Sequence, residues 1–143
     1  MEQFLFPVGD LHLLLRLGIA LLIGAVIGWE RETKGKAAGF RTNLLVSFGT
    51  ALLVLIPIQT GMAERSVEAM SRVIQGVIAG IGFIGGGTIL RGDSDVKGLT
   101  SAAAIWVSAA LGIAAGCGLW RLSLVGVVVG WLILRVLENL EPS

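Results

Sequence analysis

Apolar residues fall into five long blocks along this chain, separated by short polar or glycine-rich breaks. A helix needs about 20 mainly apolar residues to cross the hydrocarbon of a bilayer. Five segments meet or approach that length: Leu11 to Trp29, Asn43 to Gly61, Val73 to Leu90, Leu99 to Leu119 and Leu122 to Leu140. The breaks are Glu30 to Thr42, Met62 to Arg72, Arg91 to Gly98 and Gly118 to Arg121. This pattern predicts an all-α membrane protein, a compact bundle of about five transmembrane helices forming a single domain over residues 1–143. Pro57 can shorten the second span, and glycines can break the third.

Glycine occurs 21 times. Ala20, Gly24 and Gly28 are spaced by four, as are Gly76 and Gly80, Gly82 and Gly86, Gly112 and Gly116, and Gly126 and Gly130. On a helix that spacing puts small residues on one face, so backbones can approach closely and packing replaces the hydrophobic drive that lipid cannot supply. The third span is denser still, with Gly80, Gly82, Gly85, Gly86 and Gly87 within eight residues. Each glycine costs about 1 kcal/mol of helix propensity against alanine. The run could unwind and free backbone carbonyls, as in the broken helices that bind ions and substrates in transporters. It could equally stay an intact helix in close contact with its neighbours.

Composition strengthens the membrane reading. Charged residues are 15% of the chain and hydrophobic ones 55%, against roughly 25% charged in soluble domains. The first apolar run is flanked by Glu2 and Asp10, and Glu30-Arg31-Glu32 follows where a signal peptide would need small residues. It is read as a retained helix. Lys and Arg in the loops set orientation. Seven (Arg31, Lys34, Lys36, Arg41, Arg91, Lys97 and Arg135) fall on one side and three (Arg65, Arg72 and Arg121) on the other. The bias predicts an outside N-terminus and a cytoplasmic C-terminus. A net charge of +1 gives no footprint for nucleic acid.

The chemistry is sparse. Cys117 has no second cysteine to pair with, and one Cys plus His12 cannot build a usual zinc site. Cys117 reads as a small packed side chain and His12 as a residue near the outer interface. Asp93 and Asp95 lack the glycine and distal glutamate of a calcium loop. No nucleophile elbow, P-loop or histidine–carboxylate cluster is present, so no enzyme, catalytic residue or cofactor is expected. The polar stretch Glu30 to Thr42 is the densest. Glu30 and Arg41 abut helix ends, where an arginine can grip a carboxylate through paired hydrogen bonds. A structural clamp, an ion or partner contact and a solvated loop all remain open. Arg16, about one and a half turns into the first span, is expected to snorkel outward. Gln75 is expected to bridge two helices. Thr100 and Ser101 are expected to cap the amides that open the fourth span.

Three blocks carry a resemblance. Glu30-Arg31-Glu32 followed by Ala38-Gly39-Phe40-Arg41-Thr42, the glycine-rich stretch Gln75 to Gly87, and Gly98-Leu99-Thr100-Ser101-Ala102-Ala103 with Ile105-Trp106 resemble, in this order, the signature of the MgtC/SapB membrane proteins. The blocks cover most of the chain. Departures from the family pattern are small: Gly86 stands where an alanine is usual, Ser101 replaces a threonine, and Asn43 stands where a histidine often follows the Arg-Thr pair. Several family members continue into a soluble C-terminal domain, and nothing attributed to that domain carries over. The resemblance implies a bacterial inner-membrane protein linked to growth in low magnesium and, in pathogens, to survival inside macrophages. Some members are described as modulating the F-type ATP synthase. On family grounds Glu30, Arg31, Glu32, Arg41, Thr42, Gln75, Arg91 and Thr100 are the positions expected to matter, with Ser101 beside them. No metal site can be named.

Two functions follow. In the first, the chain is a regulator that docks onto another membrane complex or onto itself, a homo-oligomer with a dimer as the simplest symmetry. In the second, it is an oligomeric channel or transporter for magnesium or another cation, with the glycine-rich break at its centre and Glu30 and Arg41 at one mouth. The first is favoured.

Overall fold

The computed structural model describes residues 6–140. Helix α1 runs Asp10–Thr33, α2 Phe40–Gln59, α3 Met62–Arg65, α4 Val67–Gly86, α5 Leu99–Gly116 and α6 Trp120–Val136, closing in a 3-10 turn over Leu137–Leu140. A two-residue hairpin, β1 Leu90–Arg91 and β2 Val96–Lys97, links α4 to α5, pairing Leu90 with Lys97 and Arg91 with Val96. Five of the helices (α1, α2, α4, α5 and α6) are long and apolar enough to span a membrane. Successive crossings bring the ends of α1, α4 and α6 and the starts of α2 and α5 to one face, here called the polar end.

The core is the triad α1, α2 and α5, with α6 laid against α1 and α5 and α4 against α5 and α2. Two small-residue seams make the triad tight. A Cβ on Gly24 would sit 2.6 Å from the Asn43 carbonyl oxygen, and one on Gly28 2.8 Å from Phe40 Cα. A Cβ on Gly112 would run into the Ser47 backbone and the Thr50 hydroxyl, and one on Gly116 would lie 2.9 Å from the Ala51 carbonyl oxygen. Thus α1 closes on the first turns of α2, and α5 closes on its middle. Gly126 and Gly130 of α6 face the side chains of Leu111, Val107 and Ile27.

A buried polar line runs down α2 through the same seams. Asn43, Ser47 and Thr50 recur at spacings of four and three, so they share one face. The Ser47 hydroxyl donates to the Ala20 carbonyl of α1 at 2.7 Å, and Thr50 donates to the Ala109 carbonyl of α5 at 3.0 Å. Ser108 of α5 donates to Asn43 Oδ1 at 2.7 Å. These bonds satisfy groups that neither lipid nor the apolar core could serve. Pro57 does not shorten α2, which continues to Gln59 with Pro57 buried in its last turn. Thr60 closes that turn by donating to the Ile56 carbonyl at 2.8 Å.

The glycine-rich helix α4 is unbroken. It passes through Gly80, Gly82, Gly85 and Gly86 as regular helix and unwinds only at Gly87, where the Thr88 hydroxyl donates to the Gly85 carbonyl at 2.8 Å. It also starts at Val67, six residues before the apolar run. Glu68 and Arg72, paired at 3.5 Å, form an exposed polar first turn that hydropathy alone leaves out. Only Val77, Ile81 and Gly85 of α4 are buried, against ten residues of α5. A Cβ on Gly76, Gly80, Gly82 or Gly86 would meet nothing within 4 Å. These pairs therefore do not pack inside the chain. Gly76 and Gly80, with Gly49 of α2, line an open apolar groove of about 610 Å³ between α2 and α4. Gln75, Ala79, Gly82 and Gly86 lie on the side of α4 turned away from the bundle, opposite Val77 and Ile81.

Candidate functional site

Ionisable side chains buried within a membrane bundle mark function more often than structure, and most of those in this chain gather at the polar end. Glu30 and Arg31 lie in the last turn of α1 and are 2% and 3% exposed. Consecutive residues point about 100° apart on a helix, so the two reach different neighbours. Glu30 Oε1 lies 2.5 Å from Lys34 Nζ, one turn on, and Oε2 lies 3.6 Å from Arg135 Nη1 of α6. Arg31 turns to α5, where its Nη2 donates to Ser101 Oγ at 2.6 Å. Glu138 of the closing turn pairs with Lys34 and, at 3.4 Å, with Lys36. Arg135 also lies over the Trp131 ring at 5.4 Å. The cluster ties α1 to both α5 and α6. Hydrogen bonds to Glu138 and Glu30 hold the Lys34 ammonium above its ordinary range. The stability it lends is complete below the ordinary lysine value and is lost only as pH climbs through the raised one, so the pairing is intact at neutral pH.

The α1–α2 loop is organised by two side chains. The Glu32 carboxylate accepts from the Phe40 amide at 2.9 Å and so serves one orphan donor at the start of α2. Gly39 leaves room for it, since a Cβ there would overlap that carboxylate and the Glu32 side chain would have to move. Ala38 holds a left-handed φ of 54°. The Asn43 amide spans this turn, donating to the carbonyls of Ala38 at 2.8 Å and Gly39 at 2.9 Å. Asn43 is fully buried and also takes the Ser108 hydroxyl. Asn43→Ala breaks three side-chain hydrogen bonds at once and is expected to cost about 2 kcal/mol. Reversible unfolding in mixed micelles checks this, and a change under about 0.5 kcal/mol, the scale of an ordinary surface substitution, would contradict it.

Several expectations are corrected. Glu30 and Arg41 do not form a clamp: Arg41 is exposed and makes no ion pair among the described residues, and Lys34 and Arg135 take Glu30 instead. Arg41 points away because it sits in the first turn of α2 on the side opposite the Asn43 seam. Arg16 does not snorkel. It is 5% exposed and donates to the Gly116 carbonyl at 3.0 Å, its guanidinium packed against Gly118, whose φ of 74° and missing Cβ leave room for it. Gln75 bridges no helices; it is exposed, with no hydrogen bond to another described residue. Thr100 and Ser101 cap nothing, since Gly98 occupies the N-cap of α5 without a side-chain cap, and Ser101 instead accepts from Arg31. Thr42 is half-buried, and Arg91 is exposed in the hairpin. The structure thus brings together Glu30, Arg31, Ser101 and, at the cavity beside them, Thr100. Glu32 belongs to the adjoining loop, while Arg41, Gln75 and Arg91 stand apart.

Lys34, Lys36, Arg135 and Glu138 were missed as site residues, and so was the structural role of Asn43. Lys34 carried a signal, being four residues after Glu30 on the same helix. Glu138 comes from the far end of the chain and carried none. Among the described residues no three His, Cys, Asp or Glu side chains gather as a metal site would require.

No solved structure matches the chain. SrpB of Synechococcus elongatus is 45% identical over 99% of this chain and 84% of its own length. YhiD of Escherichia coli K12, described as "Putative magnesium transporter YhiD", is 39% identical over 89% of this chain. MgtC of Salmonella typhimurium is 37% identical over 81% of it. The chain spans 61% of YhiD and 48% of MgtC, so it corresponds to their membrane-spanning part. Residues 17–143 match the MgtC family over the loop, the glycine-rich helix and the Thr100–Ser101 segment alike, and the chain belongs to that family.

Proposed function

We propose that this chain is a regulator in the bacterial inner membrane that acts by contact with other membrane proteins, a second copy of itself first, and that bears on magnesium homeostasis. Growth in low magnesium, and survival inside macrophages in pathogens, are the settings that the family resemblance supplies, and the F-type ATP synthase is one partner it suggests. The N-terminus lies outside and the polar end faces the cytoplasm, as the bias of Lys and Arg toward that end supports. The chain works without enzymatic chemistry.

One observation carries this reading. The outer side of α4 exposes Gln75, Ala79, Gly82 and Gly86, and among the described residues nothing lies within 4 Å of a Cβ built at Gly82 or Gly86. Gln75 lies one turn inside the exposed Glu68–Arg72 pair, within the apolar run, where an amide facing lipid lacks partners for its donors and its acceptor. Two copies related by a twofold along the membrane normal would bring the amides together. Each can both donate and accept, and the small residues let the backbones close. The magnesium link rests on the description that YhiD carries. Ion conduction is not favoured, since its motive was a break in α4 and the helix is continuous.

Cysteine crosslinking in native membranes tests the contact. In a Cys117→Ala background, Gln75→Cys should give a disulfide-linked dimer on mild oxidation, whereas Leu124→Cys on exposed α6 should not. Gly82→Leu should abolish the crosslink and the growth advantage in low magnesium together. A chain that stays monomeric with Gln75→Cys, and whose growth phenotype survives Gly82→Leu, would refute the proposal.

A further inference from the structure

A cavity of about 190 Å³ opens beside the charge cluster, between the ends of α1 and α6 and the start of α5. Arg31, Lys36, Thr100 and Glu138 line one part, and Ile133, Leu134 and Leu137 line the other. Arg31 is almost wholly buried, yet its one hydrogen bond goes to a neutral hydroxyl and its Nε has no partner. It has no carboxylate within 4 Å among the described residues. A guanidinium offers five N–H donors, and leaving the buried Nε–H unserved is costly. Among the described residues, four cations (Arg31, Lys34, Lys36 and Arg135) meet two carboxylates here, Glu30 and Glu138, and both are already held by Lys34. The surplus is positive, so a metal cation is the wrong guest and a compact polyvalent anion the right one.

We propose that this cavity binds a phosphate group, gripped by Arg31, Lys36 and the Thr100 hydroxyl. The planar guanidinium matches phosphate oxygens through two parallel bonds, and lysine adds a point charge. Ile133 and Leu137 are exposed toward lipid at the rim, where the carbons of a phosphate ester would lie. Basic pockets between helix ends at the headgroup level recognise anionic lipids in this manner. A lipid headgroup and a free phosphate share the recognising chemistry. Glu138 is the resident competitor. Its carboxylate holds Lys36 at 3.4 Å and also pairs with Lys34, so an entering phosphate takes over the charge that Glu138 now neutralises.

That competition supplies a test with opposite signs. Purified protein in neutral detergent is titrated with dioctanoyl phosphatidylglycerol, inorganic phosphate and dioctanoylglycerol, read by native mass spectrometry and by the shift in Tm. Phosphatidylglycerol should bind saturably and dioctanoylglycerol should not. Lys36→Gln, at an accessible side chain that the fold tolerates, should weaken binding about fivefold, the scale of one lysine at a headgroup surface. Glu138→Gln should tighten it by a similar factor. If inorganic phosphate binds with the same dependence on Lys36 and competes, the ligand is a soluble phosphate. If only the lipid binds, it is a headgroup. Binding of dioctanoylglycerol equal to that of the phospholipid, or affinities that neither Lys36→Gln nor Glu138→Gln changes, would overturn the site.

Discussion

Replacing Gly112 by leucine should all but abolish the folded protein, while the same change at Gly82 should leave the isolated chain folded. Both are helical glycines, each spaced by four from another, and a rule based on spacing treats them alike. The structure does not. A Cβ at Gly112 would overlap the Ser47 backbone and the Thr50 hydroxyl, and that hydroxyl is the group that α2 donates to the Ala109 carbonyl of α5. The remaining leucine carbons would push the two helices apart, breaking the Thr50–Ala109 and Ser108–Asn43 hydrogen bonds along the seam. Overpacking of a rigid site combined with lost buried hydrogen bonds puts the cost at about 4 kcal/mol or more. At Gly82 an added Cβ meets nothing within 4 Å, and removing a helical glycine contributes up to about 1 kcal/mol of propensity. Unfolding in mixed micelles, followed by helical circular dichroism, separates the two. Equal stability of the Gly112→Leu and Gly82→Leu proteins would show that the α2–α5 seam is not where the fold is held.

This contrast also shows what could be read from the residues. The five spans and most small-residue spacings were legible because period and length are local properties, and Gly24, Gly28, Gly112 and Gly116 do pack as their spacing suggests. Which glycines face a neighbour and which face outward depends on how helices are placed around α2, and no local pattern holds that. The same limit explains the charges. Whether Glu30 and Arg41 pair stays open in the sequence because they end and begin adjacent helices, whereas a side chain's direction is set by its position around the helix, and 100° per residue turns Arg41 outward. Arg16 was assigned to the lipid interface because its nearest way out was short. Its acceptor, the Gly116 carbonyl, lies 100 residues away in sequence. The polar line of Asn43, Ser47 and Thr50 was visible as a four-then-three spacing in an apolar helix, a signal that small hydroxyls make easy to overlook.

Within the charge cluster the cost of removing a partner should follow burial rather than charge. Glu30→Leu should destabilise the protein by about 3 kcal/mol, near the lower edge of the range for breaking a buried ion pair. Glu30 is 2% exposed and pairs with both Lys34 and Arg135 from inside the bundle. Its loss leaves Arg31 buried with Glu138 as the one other carboxylate of the cluster among the described residues. The lower edge applies because the side chains of Lys34 and Arg135 are 26% and 59% exposed and can turn to water once released. For the same reason Arg135→Gln should cost under about 1 kcal/mol, the usual worth of an exposed pair. Ser101→Ala should fall between them at about 2 kcal/mol, since it removes the hydroxyl that serves a buried guanidinium. The order Glu30, Ser101, Arg135 is therefore the result to look for in unfolding measurements at neutral pH and constant salt. A double-mutant cycle between Glu30→Leu and Lys34→Met should return a favourable coupling, because the two are in direct contact. Arg135→Gln as damaging as Glu30→Leu would mean that the cluster is stabilised from its exposed rim and that the buried carboxylate is not its anchor.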